Sequence, residues 1–110
     1  MRVTSEFWVS ALCRRAAAEG AFAYVVQRGA KEAGAIFVIT NNMQGAVSLH
    51  APAPQSFFEE DIPTGRMFEQ VVELNIEQDV RDRLERERKF DPDIWIVEIE
   101  DREGRDFIES

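Results

Sequence analysis

Between residues 21 and 50 the chain repeats one pattern, a short apolar run followed by a turn-forming cluster, and that pattern leaves little room for anything but strands. The first run, residues 21–28, reads Ala-Phe-Ala-Tyr-Val-Val-Gln-Arg. Phe22, Tyr24 and Val26 fall on one face of an extended chain, and Ala21, Ala23 and Val25 on the other. Gly29 to Gly34 supplies a turn with charged residues at its tip. Ala35 to Thr40 is apolar on both faces and fits a strand covered on both sides. Asn41-Asn42-Met43-Gln44-Gly45 makes a hairpin connection. Val47 and Leu49 then alternate with Ser48 and His50. The expectation is a three-stranded antiparallel meander over residues 21–50.

Helical spacing brackets this region. In residues 5–19, Trp8, Leu12 and Ala16 recur every fourth position, with Val9 and Cys13 widening the stripe. Ser5 is placed to cap this helix and Gly20 to end it in a left-handed conformation. Residues 51–65 are irregular. Pro52 and Pro54 stiffen the start of that stretch, and Pro63-Thr64-Gly65 turns it. Met67 to Leu74 reads as a fourth strand with Phe68, Val72 and Leu74 inward.

Asn75, with Gln78 in the capping-box position, opens a second helix over 76–90. Its apolar stripe is thin: Ile76, Val80, Leu84 and Phe90. Glu77–Arg81, Asp79–Arg83, Asp82–Arg86 and Glu85–Lys89 are spaced as ion pairs on a solvated face, worth about 0.2–0.5 kcal/mol each. Asp91-Pro92 stops it. Residues 93–100 form the last strand, with Trp95, Val97 and Ile99 on one face and Ile94 and Ile96 on the other. Glu98 and Glu100 emerge at its exposed end.

These elements fit one domain over residues 1–110, since a chain this long buries roughly 65% of its unfolded surface. The fold class is α+β: a five-stranded, mainly antiparallel sheet covered by two helices, in the order α-β-β-β-β-α-β. The helical crossover lets the fourth and fifth strands run parallel. The lone Cys13 excludes an internal disulfide. The apolar run at 7–13 imitates a signal peptide, but Glu6, Arg14, Arg15 and Glu19 interrupt it. Behind Arg14-Arg15, Glu19, Gly20, Gln27 and Arg28 spoil a twin-arginine export signal. No run reaches the ~18 residues of a membrane span. A cytoplasmic protein is expected, with no membrane partner.

Charge divides the chain. Residues 1–55 hold Arg2, Arg14, Arg15, Arg28 and Lys31 against Glu6, Glu19 and Glu32, a net of +2. The whole carries -8, so the remainder carries -10. Such a surface repels phosphate backbones and argues against a nucleic-acid partner. The bases of 81–89 are matched by neighbouring acids and make no basic patch.

Candidate chemistry is sparse. Cys13 and His50 form the one thiol–imidazole pair the chain could offer. Cys13 lies mid-helix beside the apolar stripe, where a cysteine serves as a small hydrophobe. His50 opens the Ala51-Pro52-Ala53-Pro54 loop, and a single histidine is a poor start for a zinc site. Glu59-Glu60-Asp61 and Asp91-x-Asp93 lack the glycine-punctuated loop of a calcium site. Glu98 and Glu100 share a strand face, as a pair of acid/base carboxylates would. No phosphate-binding, nucleophile-elbow or zinc-protease motif occurs. No metal or organic cofactor is expected to be needed for folding.

Three segments carry a resemblance: Phe7-Trp8-Val9-Ser10-Ala11-Leu12-Cys13-Arg14-Arg15, Ala51-Pro52-Ala53-Pro54-Gln55, and residues 90–101, Phe-Asp-Pro-Asp-Ile-Trp-Ile-Val-Glu-Ile-Glu-Asp. In that order they resemble a family of small alphaproteobacterial proteins, domain of unknown function 1491. The resemblance implies a bacterial single-domain protein and supplies no activity, cofactor or catalytic residue.

The functional expectation is a non-enzymatic binding or adaptor module, self-associating or docking another protein. The alternative is a small hydrolase or transferase using Cys13 and His50, or Glu98 and Glu100. The expected contact surface joins His50 and the loop after it, with Phe57, Phe58, Glu59, Glu60 and Asp61, to Arg14 and Arg15 of a second copy. Against it stands the simpler role of Phe57 and Phe58 as a lid on the core.

Overall fold

The computed structural model describes residues 3–53, 68–72 and 77–108. The elements follow the expected order: α1 (Ser5–Ala18), β1 (Phe22–Gln27), β2 (Ile36–Asn41), β3 (Val47–Pro52), β4 (Phe68–Val72), α2 (Glu77–Phe90) and β5 (Trp95–Glu100). The strands form one five-stranded sheet in the order β1-β5-β2-β3-β4. All pairs are antiparallel except β2 with β5, which run parallel.

That order corrects the meander. β2 and β3 pair as a hairpin, but β1 and β2 are separated by β5. The segment 28–35 therefore bridges the entry of β5 instead of closing a hairpin. The gap is short, about 10 Å for two strand spacings. β4 and β5 run in the same direction, as the crossover allows, yet β2 and β3 lie between them.

Two layers of core follow from the alternation. On one face, Ile36, Val38, Trp95, Val97 and Ile99 pack under Val9, Leu12 and Ala16 of α1. On the other, Phe37, Ile39, Leu49, Ile94 and Ile96 pack under Val80 and Leu84 of α2. β5 is buried on both sides over residues 94–97, which is what a central strand requires. Each fully buried side chain of this kind contributes about 2 kcal/mol. α2 is the more exposed helix, as its thin stripe implied, and Phe90 lies at the surface. Of its expected pairs, Glu77–Arg81 forms, while Arg83 turns to Glu87 at 2.7 Å and Arg88 to Glu85 at 3.1 Å. Ile76 and Asn75 lie outside the described residues.

Both ends of α1 are satisfied without solvent. Thr4, not Ser5, is the N-cap, and its hydroxyl oxygen accepts from the Phe7 N–H at 3.1 Å. The next orphan donors, Ser5 and Glu6 N–H, donate to the carbonyls of Glu32 and Lys31 at 3.0 and 3.1 Å. At the other end Gly20, at φ 90°, lets Ala21 N–H reach Ala16 O and Gly20 N–H reach Ala17 O. Ser5 is fully buried, and its hydroxyl donates to Gly34 O at 2.6 Å. Ser5→Ala should therefore cost about 1.5 kcal/mol by stranding a carbonyl, and Thr4→Ala about 1 kcal/mol by removing the cap. Urea unfolding of the two variants checks this. A neutral Ser5→Ala would mean that the loop is not anchored through that hydroxyl.

Candidate functional site

Candidate side chains fall on both faces of the sheet. On the α1 face, Cys13 packs against the core cluster, and burial pushes its thiol pKa up, the wrong direction for a nucleophile. His50 lies on this face too, since it pairs with Val38 across the hairpin. Burial holds its imidazole pKa down, partly countered by the Asp106 carboxylate. Among the described residues no hydrogen bond joins Cys13 to His50.

Arg14 is exposed. Arg15 turns inward instead, and its Nη2 donates to Phe107 O at 3.0 Å. Phe57, Phe58, Glu59, Glu60 and Asp61 lie outside the described residues. Among the described residues, no group of three or more His, Cys, Asp or Glu side chains is arranged for a metal ion. No helix of the described residues is long and apolar enough to cross a membrane.

The tail after β5 closes the α1 face. Asp101 is 6% exposed and takes a forked ion pair from Arg105, with Nε at 3.0 Å and Nη2 at 2.9 Å. Arg105 also donates to the carbonyl of Glu19 at the end of α1, at 3.2 Å. Arg105's hydrogen bonds hold the Asp101 carboxyl below its ordinary range, against the opposing effect of burial. A lowered folded-state pKa stabilises the fold above the unfolded carboxyl's pKa, and that contribution is lost as pH falls through the folded value. Asp101→Asn should thus cost about 2 kcal/mol at neutral pH and flatten the acid limb of stability. Urea midpoints measured across the acid range test this. An unchanged acid limb would remove Asp101 as its source.

The α2 face carries the more suggestive arrangement. α2 lies toward β3 and touches the end of β1 through Arg88, whose Nη1 donates to Gln27 Oε1 at 3.2 Å, and a groove of about 450 Å³ opens beside it. Val26, Ile39, Val47 and Ile96 make an apolar floor. Asn41 and Glu98 stand in it as polar groups, and Glu77, Arg81, Glu85 and Arg88 of α2 form one wall. The β1–β5 register sets Tyr24 opposite Glu98 and Phe22 opposite Glu100. The Tyr24 hydroxyl donates to Glu100 Oε2 at 3.0 Å. Its pKa is pushed well up, by burial first, then by that bond and the charges of Glu98 and Glu100. Tyr24 therefore remains a proton donor throughout the neutral range. Asn41 Nδ2 makes only a long 3.5 Å contact to Glu98. The wall arginines are engaged elsewhere, Arg81 with Glu77 and Arg88 with Glu85.

Glu98 and Glu100 are thus brought together as their spacing implied. Tyr24, Asn41 and the α2 wall were not foreseen. Tyr24 was visible as a polar tip in an apolar strand, but only the β1–β5 pairing places it beside the carboxylates.

Comparison with known proteins bears on the whole chain. A family model described as "Protein of unknown function (DUF1491)" matches residues 3–109. A crystal structure of a DUF1491 family protein from Caulobacter crescentus CB15 is similar at TM-score 0.83 and 38% identity, covering 100% of each chain. A solution structure of a protein from A. tumefaciens is similar at TM-score 0.84 and 44% identity, covering 98% of this chain and 93% of that one. No match is found among curated proteins.

Proposed function

This chain belongs to the DUF1491 family, a family of unknown function, and from that premise we propose that it is a non-enzymatic binding module whose site is the groove between α2 and strands β1, β5 and β2. The observation that carries this reading is the Glu98 carboxylate at the end of an apolar floor, within the field of Arg81 but with no arginine bonded to it among the described residues. Apolar clefts with a few fixed polar groups are the usual form of a binding site. The ligand that suits this one has an apolar body and a basic group, the body on Ile96 and Val47 and the cation at Glu98. The raised thiol pKa of Cys13 speaks against a hydrolase or transferase built on Cys13 and His50. A cytoplasmic setting accords with the lone cysteine, which needs no oxidising compartment.

The experiment is a titration of the ¹⁵N-labelled protein with phenethylamine and, separately, with 3-phenylpropionate. The amine should shift the amides of Val26, Asn41 and Glu98 with millimolar affinity, and Glu98→Gln should weaken that response roughly tenfold. Equal responses to the amine and the acid, or shifts scattered away from the groove, would overturn the reading.

A further inference from the structure

The strand β1 ends the sheet, and its outer edge has no strand beside it among the described residues. From Ala21 to Val25 it is regular and contains no charge and no proline, two of the devices by which edge strands refuse a partner; a third, a bulge, is confined to its far end between Val25 and Gln27. Phe22 is 70% exposed and Tyr24 43% exposed, and the two share one face of the regular stretch. By contrast, β4 at the other end carries exposed Glu69 and Gln70.

We propose that β1 is a self-association edge, on which a second copy of this chain pairs its own β1 antiparallel across a two-fold axis and makes the two sheets continuous. The choice of a second copy rests on charge and on symmetry. Each molecule carries -8, so two copies repel except where a surface is free of charge. The outer edge of β1 carries no charged side chain of its own, Glu98 and Glu100 lying one strand inward. It is also self-complementary: centred on Ala23, within the regular stretch, antiparallel pairing sets Phe22 of one copy opposite the partner's Tyr24, and Tyr24 opposite the partner's Phe22. The pairing goes beyond the groove reading and does not depend on it, because it uses the outer edge of β1 and not the space under α2.

Sedimentation velocity at micromolar concentration tests this, with added salt as a second axis. The wild type should sediment as a dimer of the 12.6 kDa chain. Salt should tighten that dimer, because it screens the repulsion between two acidic molecules. A contact built from Arg14 and Arg15 on Glu59, Glu60 and Asp61 would loosen instead, and that outcome overturns the proposal. Phe22→Lys should weaken association by roughly 100-fold, since it sets like charges near each other across the axis. Phe22 is mostly exposed and outside the groove lining, so the melting temperature and the phenethylamine response should persist. Val25→Lys, on the opposite face of the same edge, is the second variant. A wild type that remains a monomer at every salt concentration, or a dimer that survives both lysines, rules out β1 as the edge.

Discussion

Gly29→Ala should destabilise the protein by about 3 kcal/mol or more, a large share of what a domain this size holds in reserve. A Cβ on Gly29 would stand 2.2 Å from the Asp93 carbonyl oxygen and 2.6 Å from the Ile94 carbonyl carbon. Both are backbone atoms at the entry of β5, and neither can swing aside like the tip of a side chain. The entry is pinned from both directions. Ala30 N–H donates to Asp93 O at 2.9 Å, and Trp95 N–H donates to Ala35 O at 2.8 Å. Gln27 Nε2 adds a bond to Ile94 O at 2.9 Å. Gly20→Ala is the control. Open space surrounds Gly20, so alanine there meets only the cost of a left-handed backbone, about 1 kcal/mol. Urea unfolding at constant m-value ranks the two. If Gly29→Ala costs no more than Gly20→Ala, the segment 28–35 does not clamp β5.

Trp95→Ala should cost about 4 kcal/mol, as truncation of a large core aromatic does. Trp95 is 1% exposed and sits at the first position of β5, an interior strand. Its indole Nε1–H donates to Ala30 O at 2.7 Å, and the Arg28 guanidinium lies 5.0 Å from a ring centroid. One side chain therefore joins the core to the segment that crosses above it. Trp95→Phe separates the two roles. It keeps most of the apolar volume but removes one of the two donors to the Ala30 carbonyl, which still accepts from Gly34 N–H at 3.1 Å, so the cost is about 1.5 kcal/mol. Trp8 gives the comparison. It is half-buried and stacks on Phe68 at 5.1 Å, so Trp8→Phe should lie within about 1 kcal/mol of the wild type. Thermal melts followed by circular dichroism avoid relying on either tryptophan's fluorescence. Trp8→Phe proving the costlier of the two Phe variants would contradict this placement of the core.

The element types were legible because they are local. Leu12 and Ala16 repeat at helical spacing, Val47 and Leu49 alternate, and both patterns appear as burial in the structure. Strand neighbours were not legible in the same way. Gly29 and Gly34 read as the ends of a hairpin turn, whereas their smallness serves a close approach to Asp93. The fuller clue lay in residues 94–97, apolar on both faces, which mark a strand with neighbours on either side. The apolar composition of β1 gave no such clue, since Phe22 and Val26 lie at the surface. Of the groove, the Glu98 and Glu100 pair followed from the period of two. Tyr24 joined it only through a register that spans most of the chain.

The placement of β5 also orders events in time. A chain made from its N-terminus delivers β1 first, yet β1's strand partner is the last strand to appear. The hairpin of β2 with β3 can form early, from neighbours in sequence, but the sheet cannot close across its middle until residues 95–100 emerge. Pairings across such sequence distances form slowly. The unfinished protein therefore displays Phe22, Tyr24 and Val26 with both edges of their strand unpaired, and synthesis of the last segment ends that exposure on one side.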